Sequence, residues 1–174
     1  VLLGLGGVLV TARANVNART TAERTLTFVT SQLDRYEVSR TNDRTKSLIR
    51  LLDKATELAE RIACDGELTA SILDGYAYNQ RLTGIVVLDE TLSLEEQTAC
   101  DGDSFAFVSS LVEPGRIEDI VRYPVKSYMT RLEHGGATYD YVATGRRDAA
   151  GVIIAYALKD DANAGEITLD TLFT

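Results

Sequence analysis

The sequence has no Trp, one His, one Met, two Pro and two Cys in 174 residues. Two Cys and a single His cannot build a closed four-ligand zinc site without carboxylates. Also missing are a glycine-rich phosphate loop, GxSxG, HExxH and a Cys-His signature. His134 stands beside two glycines in a predicted hairpin turn, where a solvated residue is expected rather than a general base. We therefore expect no enzymatic activity in this domain, and no metal or cofactor.

The charge is unevenly distributed along the chain. The net charge is -8, yet residues 1–61 carry 10 Lys and Arg against 7 Asp and Glu, so the remaining residues are strongly acidic. A nucleic-acid-binding protein needs a basic face on its folded body. The acidic body therefore argues against nucleic acid as a partner.

The chain begins with an uncharged, glycine-rich apolar run, VLLGLGGVLVTA. A bilayer-spanning helix needs about 20 such residues, so this run is too short to cross a membrane alone. We interpret residues 1–11 as the end or remnant of a transmembrane helix. The alternative is a buried helix or strand of a soluble protein.

Both cysteines stand in matching tetrapeptides, ACDG at residues 63–66 and at residues 99–102. Each Cys would lie where a regular element gives way to an Asp-Gly turn. In an extracytoplasmic domain, we expect a disulfide between Cys64 and Cys100, whereas in the cytosol they would stay as thiols.

Residues 12–63 are predicted to form one long helix, because no Pro or Gly interrupts residues 12–62. Two apolar stripes follow helical spacing. The first comprises Ala22, Leu26, Val29, Leu33 and Tyr36, and the second comprises Leu48, Leu51, Ala55, Leu58 and Ile62. We expect the second stripe to pack on a sheet and the first to pair with its own copy in a homodimer. The alternative is a helix that breaks near residues 39–43.

Residues 123–159 are rich in Val, Thr, Tyr and Ile, with two polar or glycine-rich interruptions, which predicts three antiparallel strands. The predicted strands span residues 125–132, 137–145 and 151–159. Alternation places Tyr139, Tyr141 and Ala143 on one face of the middle strand, and Asp140, Val142 and Thr144 on the other. A tyrosine-bearing face can hold a small polar molecule, or it can be an ordinary half-buried sheet.

The middle of the chain completes the predicted architecture. We predict a short helix over residues 67–79, strands over residues 82–89 and 92–99, and helical segments over residues 104–112 and 116–122. The fold class is therefore α+β, with a long N-terminal helix packed on a five-stranded antiparallel sheet.

Three segments together resemble a known family. They are LTGIVVLD at residues 82–89, the helical link through Pro124, and Tyr139-Asp140-Tyr141 through RRDAAGVI at residues 146–153. In this combination the chain resembles a single CACHE domain, also called PDC, the PAS-like extracytoplasmic sensor of bacterial receptors. The resemblance implies a sensor core over residues 64–160 and a membrane-returning segment over residues 161–174.

The resemblance also implies a site and a function. Small carboxylates or other polar metabolites would bind against the sheet, under the helical connection. The implied ligand-binding residues are Tyr123, Tyr128, Arg131, Tyr139, Tyr141, Phe105, Phe107 and Asp148. Arg131 would pair with a ligand carboxylate, the two phenylalanines would roof the pocket, and Asp148 would hold a turn.

The domain would sit on the outer side of the cell membrane, between two transmembrane helices. It would signal by helix displacement to a histidine kinase, diguanylate cyclase or chemoreceptor output. The alternatives are a ligand-free dimerisation module of a membrane protein and an exported enzyme whose site has no recognisable motif.

Overall fold

The structure, a computed structural model, describes the backbone of residues 3–99 and 103–159, with side chains described from residue 24 onward except at residues 25 and 114. The elements in chain order are α1 (Leu3–Asp65), α2 (Ala70–Gln80), β1 (Gly84–Leu88), β2 (Leu94–Gln97), α3 (Ser104–Leu111), α4 (Pro114–Arg122), β3 (Ser127–His134), β4 (Ala137–Gly145) and β5 (Val152–Lys159). The predicted α+β class is confirmed. The predicted segment of residues 161–174 lies outside the described residues.

Local sequence explains where the helices begin and end. Gly66 adopts φ +67° just after α1, and its N–H donates to the Ile62 carbonyl, as in a glycine-terminated helix. The Asp103 carboxylate accepts a hydrogen bond from the Ala106 N–H and so caps α3. Pro114 opens α4, a position where its missing N–H costs nothing. α4 therefore begins two residues before the predicted helical segment of residues 116–122.

The five strands form one antiparallel sheet in the order β2-β1-β5-β4-β3. All five residues of β1 are buried, which fits its uninterrupted apolar sequence. β2 is shorter than predicted because Leu92, at φ +62°, belongs to the turn that joins it to β1. β3 is shifted by two residues from its predicted span, and β4 matches its predicted span.

The second stripe of α1 packs on one face of the sheet, as predicted. Leu58 and Ile62 join a cluster with Ile85, Val87 and Ile153. Leu51 and Ala55 join another cluster that includes Val142, Ala155 and Ala157. We call this side of the sheet the helix face.

The chain divides at Asp43 and Arg44 into two units. Residues 3–65 are helical throughout, so the predicted alternative of a break near residues 39–43 is wrong. In the first unit, the stripe residues Leu26 and Leu33 are 68% and 48% exposed. These exposed side chains could pair with a second copy of the chain, and that homodimer stays a prediction.

Candidate functional site

The opposite side of the sheet carries Tyr128, Tyr139, Tyr141 and Tyr156, and we call it the tyrosine face. Tyr141 and Tyr156 are buried in a core cluster beneath α3 and α4, and Tyr128 and Tyr139 pack at its margin. β4 places Tyr139 and Tyr141 on this face because their positions differ by two. The predicted division of β4 into two faces is therefore confirmed.

A ladder of three side chains runs from the surface into this face. The guanidinium carbon of Arg116, on α4, lies 5.7 Å from the centroid of the Tyr128 ring. The Tyr128 ring in turn lies 6.2 Å from the Tyr141 ring in an edge-to-face arrangement. Among the described residues, Arg116 takes part in no ion pair. Sequence reasoning missed Arg116, because only the docking of α4 on the sheet brings it near Tyr128.

The innermost group of the ladder is the hydroxyl of Tyr141. Its side chain is 0% exposed, and its hydroxyl has no hydrogen-bond partner. Burial raises the pKa of this hydroxyl well above its usual value, so the group stays protonated and can donate. An unpaired buried hydroxyl costs free energy, and a ligand acceptor is one way to recover it.

Aromatic side chains from α3 close the other end of the tyrosine face. The Phe107 ring lies 5.0 Å from the rings of both Tyr139 and Tyr156, measured between centroids. Phe105 also packs against the same core cluster. The Tyr156 hydroxyl donates to the buried Ser104 hydroxyl at 2.9 Å, so this tyrosine, unlike Tyr141, has its polar group satisfied.

Three of the implied ligand-binding residues, Arg131, Tyr123 and Asp148, do not join this group. Arg131 lies on the helix face, since its β3 neighbours Thr130 and Leu132 pair with Tyr141 and Tyr139. There its guanidinium binds both carboxylate oxygens of Asp140, at 2.6 and 3.1 Å. Tyr123 follows α4 at the surface, where the Lys126 ammonium lies 4.5 Å from its ring centroid. The alternation of side chains along β3 therefore separates Arg131 from the tyrosines.

Asp148 holds the turn between β4 and β5. Its carboxylate accepts two hydrogen bonds from Arg146, at 3.1 and 2.6 Å. The same buried guanidinium also pairs with Glu95 of β2. Hydrogen bonds from Arg146 lower the pKa of Asp148 despite its partial burial. This position serves the turn and is not among the tyrosine-face side chains.

A shallow cleft of about 440 Å³ lies beside α4. It is lined by Glu118, Val121 and Arg122 of α4 and by Glu90, Thr91 and Leu92 of the turn after β1. None of these lining residues belongs to the ladder of Arg116, Tyr128 and Tyr141. Arg122 therefore offers a second cation on the same helix, beside this cleft and away from the ladder.

The other predicted features concern the cysteines, metals and the membrane. Cys64 is exposed in the last turn of α1, and Cys100 lies outside the described residues, so their disulfide stays a prediction. Across residues 3–99 and 103–159, no three His, Cys, Asp or Glu side chains come together as metal ligands would. Within that same part of the chain, no helix has an apolar run long enough to cross a bilayer.

No protein-family model, curated protein or solved structure matches this chain.

Acidification is expected to weaken the folded domain partly through Asp140. Burial alone would raise the pKa of Asp140, but hydrogen bonds from Arg131 and Ser47 outweigh it, so the pKa lies below its usual value. A lowered folded-state pKa contributes stability above the unfolded pKa of about 3.9, and this stability is lost as the pH falls through the folded value. Asp140→Asn should lower the free energy of unfolding by about 1.5–3 kcal/mol at pH 7 and flatten the loss below pH 4.

Urea unfolding between pH 2.5 and 7 measures this effect. Asp119→Asn is the matched control, because Asp119 pairs with Lys126 in a solvent-exposed ion pair. It should change the free energy of unfolding by less than about 1 kcal/mol. If the free energy of unfolding of Asp140→Asn fell with pH as steeply as that of the wild type, the prediction would be contradicted.

Proposed function

We propose that this chain is an extracytoplasmic small-molecule sensing domain of a membrane-bound bacterial receptor, of the CACHE type. The observation that carries the proposal is the buried, unpartnered hydroxyl of Tyr141, which lies at the inner end of the Arg116 ladder. The α+β fold and the tyrosine face beneath α4 are what the sequence resemblance led us to expect. An output histidine kinase, diguanylate cyclase or chemoreceptor module would follow on the cytoplasmic side.

The chemistry of the ladder favours a ligand with a carboxylate. Arg116 is exposed and positively charged, so it can attract an anion and bind it bidentately. A ligand that displaced the Tyr128 ring would reach the protonated Tyr141 hydroxyl, which can donate to its oxygen, and the aromatic rings can pack on its carbon atoms. In this proposal Arg116 takes the role that the sequence had suggested for Arg131.

A ligand titration of the whole chain tests this proposal. The probes are acetate, propionate, butyrate and succinate, each beside its uncharged amide, and thermal shift and calorimetry detect binding. A carboxylate at 100 times its Kd should stabilise the fold by about 2.7 kcal/mol. Arg116→Gln should weaken binding by about 10- to 100-fold, because the charged pair with the ligand carboxylate is lost. Arg122→Gln, on the same helix but beside the 440 Å³ cleft, should leave the affinity unchanged.

Tyr141→Phe tests whether the Tyr141 hydroxyl binds a ligand or stabilises the fold. Removing an unpaired hydroxyl should leave the ligand-free stability unchanged or raise it by about 1 kcal/mol, while carboxylate binding weakens. Tyr156→Phe is the matched control, because it breaks the bond to Ser104 and should cost about 0.5–1.5 kcal/mol. Loss of stability in Tyr141→Phe without loss of binding would overturn the assignment.

A second candidate is a ligand-free dimerisation module. The exposed stripe residues Leu26 and Leu33 in the first unit favour it, because they lie one heptad apart, which suits pairing with a second copy of the helix. We propose this homodimer as part of the sensor as well. Absence of binding by every probe, together with a self-association that Leu26→Glu abolishes, would favour the module over the sensor.

A further inference from the structure

Asp140 lies at the centre of a charged cluster on the helix face. Its side chain is fully buried, and its carboxylate meets three other elements. Ser47 of α1 donates to Oδ2 at 2.6 Å, Arg131 of β3 binds both oxygens, and the Lys159 ammonium at the end of β5 lies 3.4 Å from Oδ2. We call these four residues the Asp140 clasp.

The partners of Asp140 in the clasp are bound to it with unequal strength. Arg131 belongs to the strand paired with β4 and grips Asp140 through two bonds, so the carboxylate stays paired if another partner leaves. Ser47 contributes one bond from α1, and its side chain is half-buried, so water can replace the carboxylate. Breaking the Ser47 bond therefore leaves no buried charge without a partner.

The contacts of α1 with the sheet become tighter along the helix. Leu48, next to Ser47, keeps some exposure, whereas Ala55, Leu58 and Ala59 have none. The two alanines let the helix backbone approach the sheet closely. We call residues 55–59 the fixed point, because they include the fully enclosed side chains, and residues 44–51 are the less enclosed end of this contact.

Asp140 also connects the two faces of the sheet through a single strand. Its neighbours Tyr139 and Tyr141 point to the tyrosine face, so a displacement of β4 by a ligand there also moves the Asp140 carboxylate. We propose that the Asp140 clasp is a latch that holds residues 44–51 of α1 on the sheet and opens at the Ser47 bond when the tyrosine face is occupied. The second half of this statement rests on the proposed sensing function.

The absence of Trp from the chain allows a selective test. Ile49→Trp places a fluorescent reporter in residues 44–51, the end that would lift. Thr56→Trp places one within the fixed point. Acrylamide quenching, excited at 295 nm, reports the exposure of each. Adding Ser47→Ala should raise quenching of the Trp at position 49 by up to about twofold, because Ile49 is already 45% exposed, and leave that at position 56 unchanged. Ser31→Ala is the matched control, because the Ser31 hydroxyl donates to the Phe28 carbonyl of its own helix and, among the described residues, not to the sheet.

The outcomes separate the latch from the sensing function. Equal changes at both reporters, or none at either, would overturn the latch, since Ser47 would then be an ordinary packing contact. Among the carboxylate probes, one that binds by calorimetry and raises quenching only at position 49 supports opening by ligand. A probe that binds without changing quenching would show that ligand does not open the Ser47 bond, and it would leave the sensing function in place. If no probe binds, sensing and opening both fail, and the Ser47→Ala comparison alone decides whether a latch exists.

Discussion

Gly151→Ala should lower the free energy of unfolding of the domain more than any other substitution proposed for this protein. Gly151 adopts φ +146°, a conformation that L-residues rarely reach, and a Cβ there would overlap the Leu88 carbonyl oxygen. It would also lie 2.9 Å from Cδ of the buried Arg146. The backbone strain and the overlap together should cost about 3–5 kcal/mol. The midpoint of urea unfolding, followed by circular dichroism, measures the loss.

Gly75→Ala is the matched control for this substitution. Gly75 lies on the exposed side of α2, and a Cβ there would meet no atom within 4 Å. Because alanine favours a helix over glycine, this variant should gain about 0.5–1 kcal/mol. If Gly151→Ala were as stable as the wild type, the turn between β4 and β5 could not pack against the end of β1.

Leu58→Ala should cause the second-largest loss of stability, because it leaves a cavity where α1 packs on the sheet. The Leu58 side chain is fully buried in the cluster with Ile85, Val87 and Ile153. Cavity-forming Leu→Ala changes at such positions cost about 2–5 kcal/mol. Chemical denaturation should show a lower midpoint with an unchanged slope, since the surface exposed on unfolding stays similar.

Ile49→Ala provides the comparison within the same helix. Ile49 is 45% exposed, so its truncation removes little buried apolar surface and should cost less than about 1 kcal/mol. Equal losses for Leu58→Ala and Ile49→Ala would contradict the packing of the second stripe on the helix face. The same pair also checks the helical phase that the sequence predicted.

Much of the fold was predictable because its signals are local. The period of the second stripe identified the buried side of α1, and the alternation along β4 identified its two faces. The hairpin with Gly135 and Gly136 at its turn also contained an unused signal. A two-residue turn pairs Arg131 with Asp140, and this register places Arg131 on the face opposite Tyr141.

The candidate site was predictable only in part. Tyr128, Tyr139, Tyr141 and Phe107 lie together on the tyrosine face, and their role in ligand binding stays a prediction. The sequence suggested these four residues only through its resemblance to a known family. It gave no indication that the Tyr141 hydroxyl lacks a partner, since burial and pairing depend on every element that surrounds the group. Arg116 was missed for a similar reason, because its distance to Tyr128 depends on how α4 docks on the sheet.

By itself the sequence determined the identity and the buried faces of the main elements, because helix and strand periods are set by backbone geometry within a few residues. Only the tertiary structure decided which charges meet. Ser47, Arg131 and Lys159 are far from one another in the chain, yet they converge on Asp140. Such convergence is fixed by the crossing of α1 over the sheet and by the strand order. Both result from the packing of apolar surfaces across the whole domain, which no local pattern records.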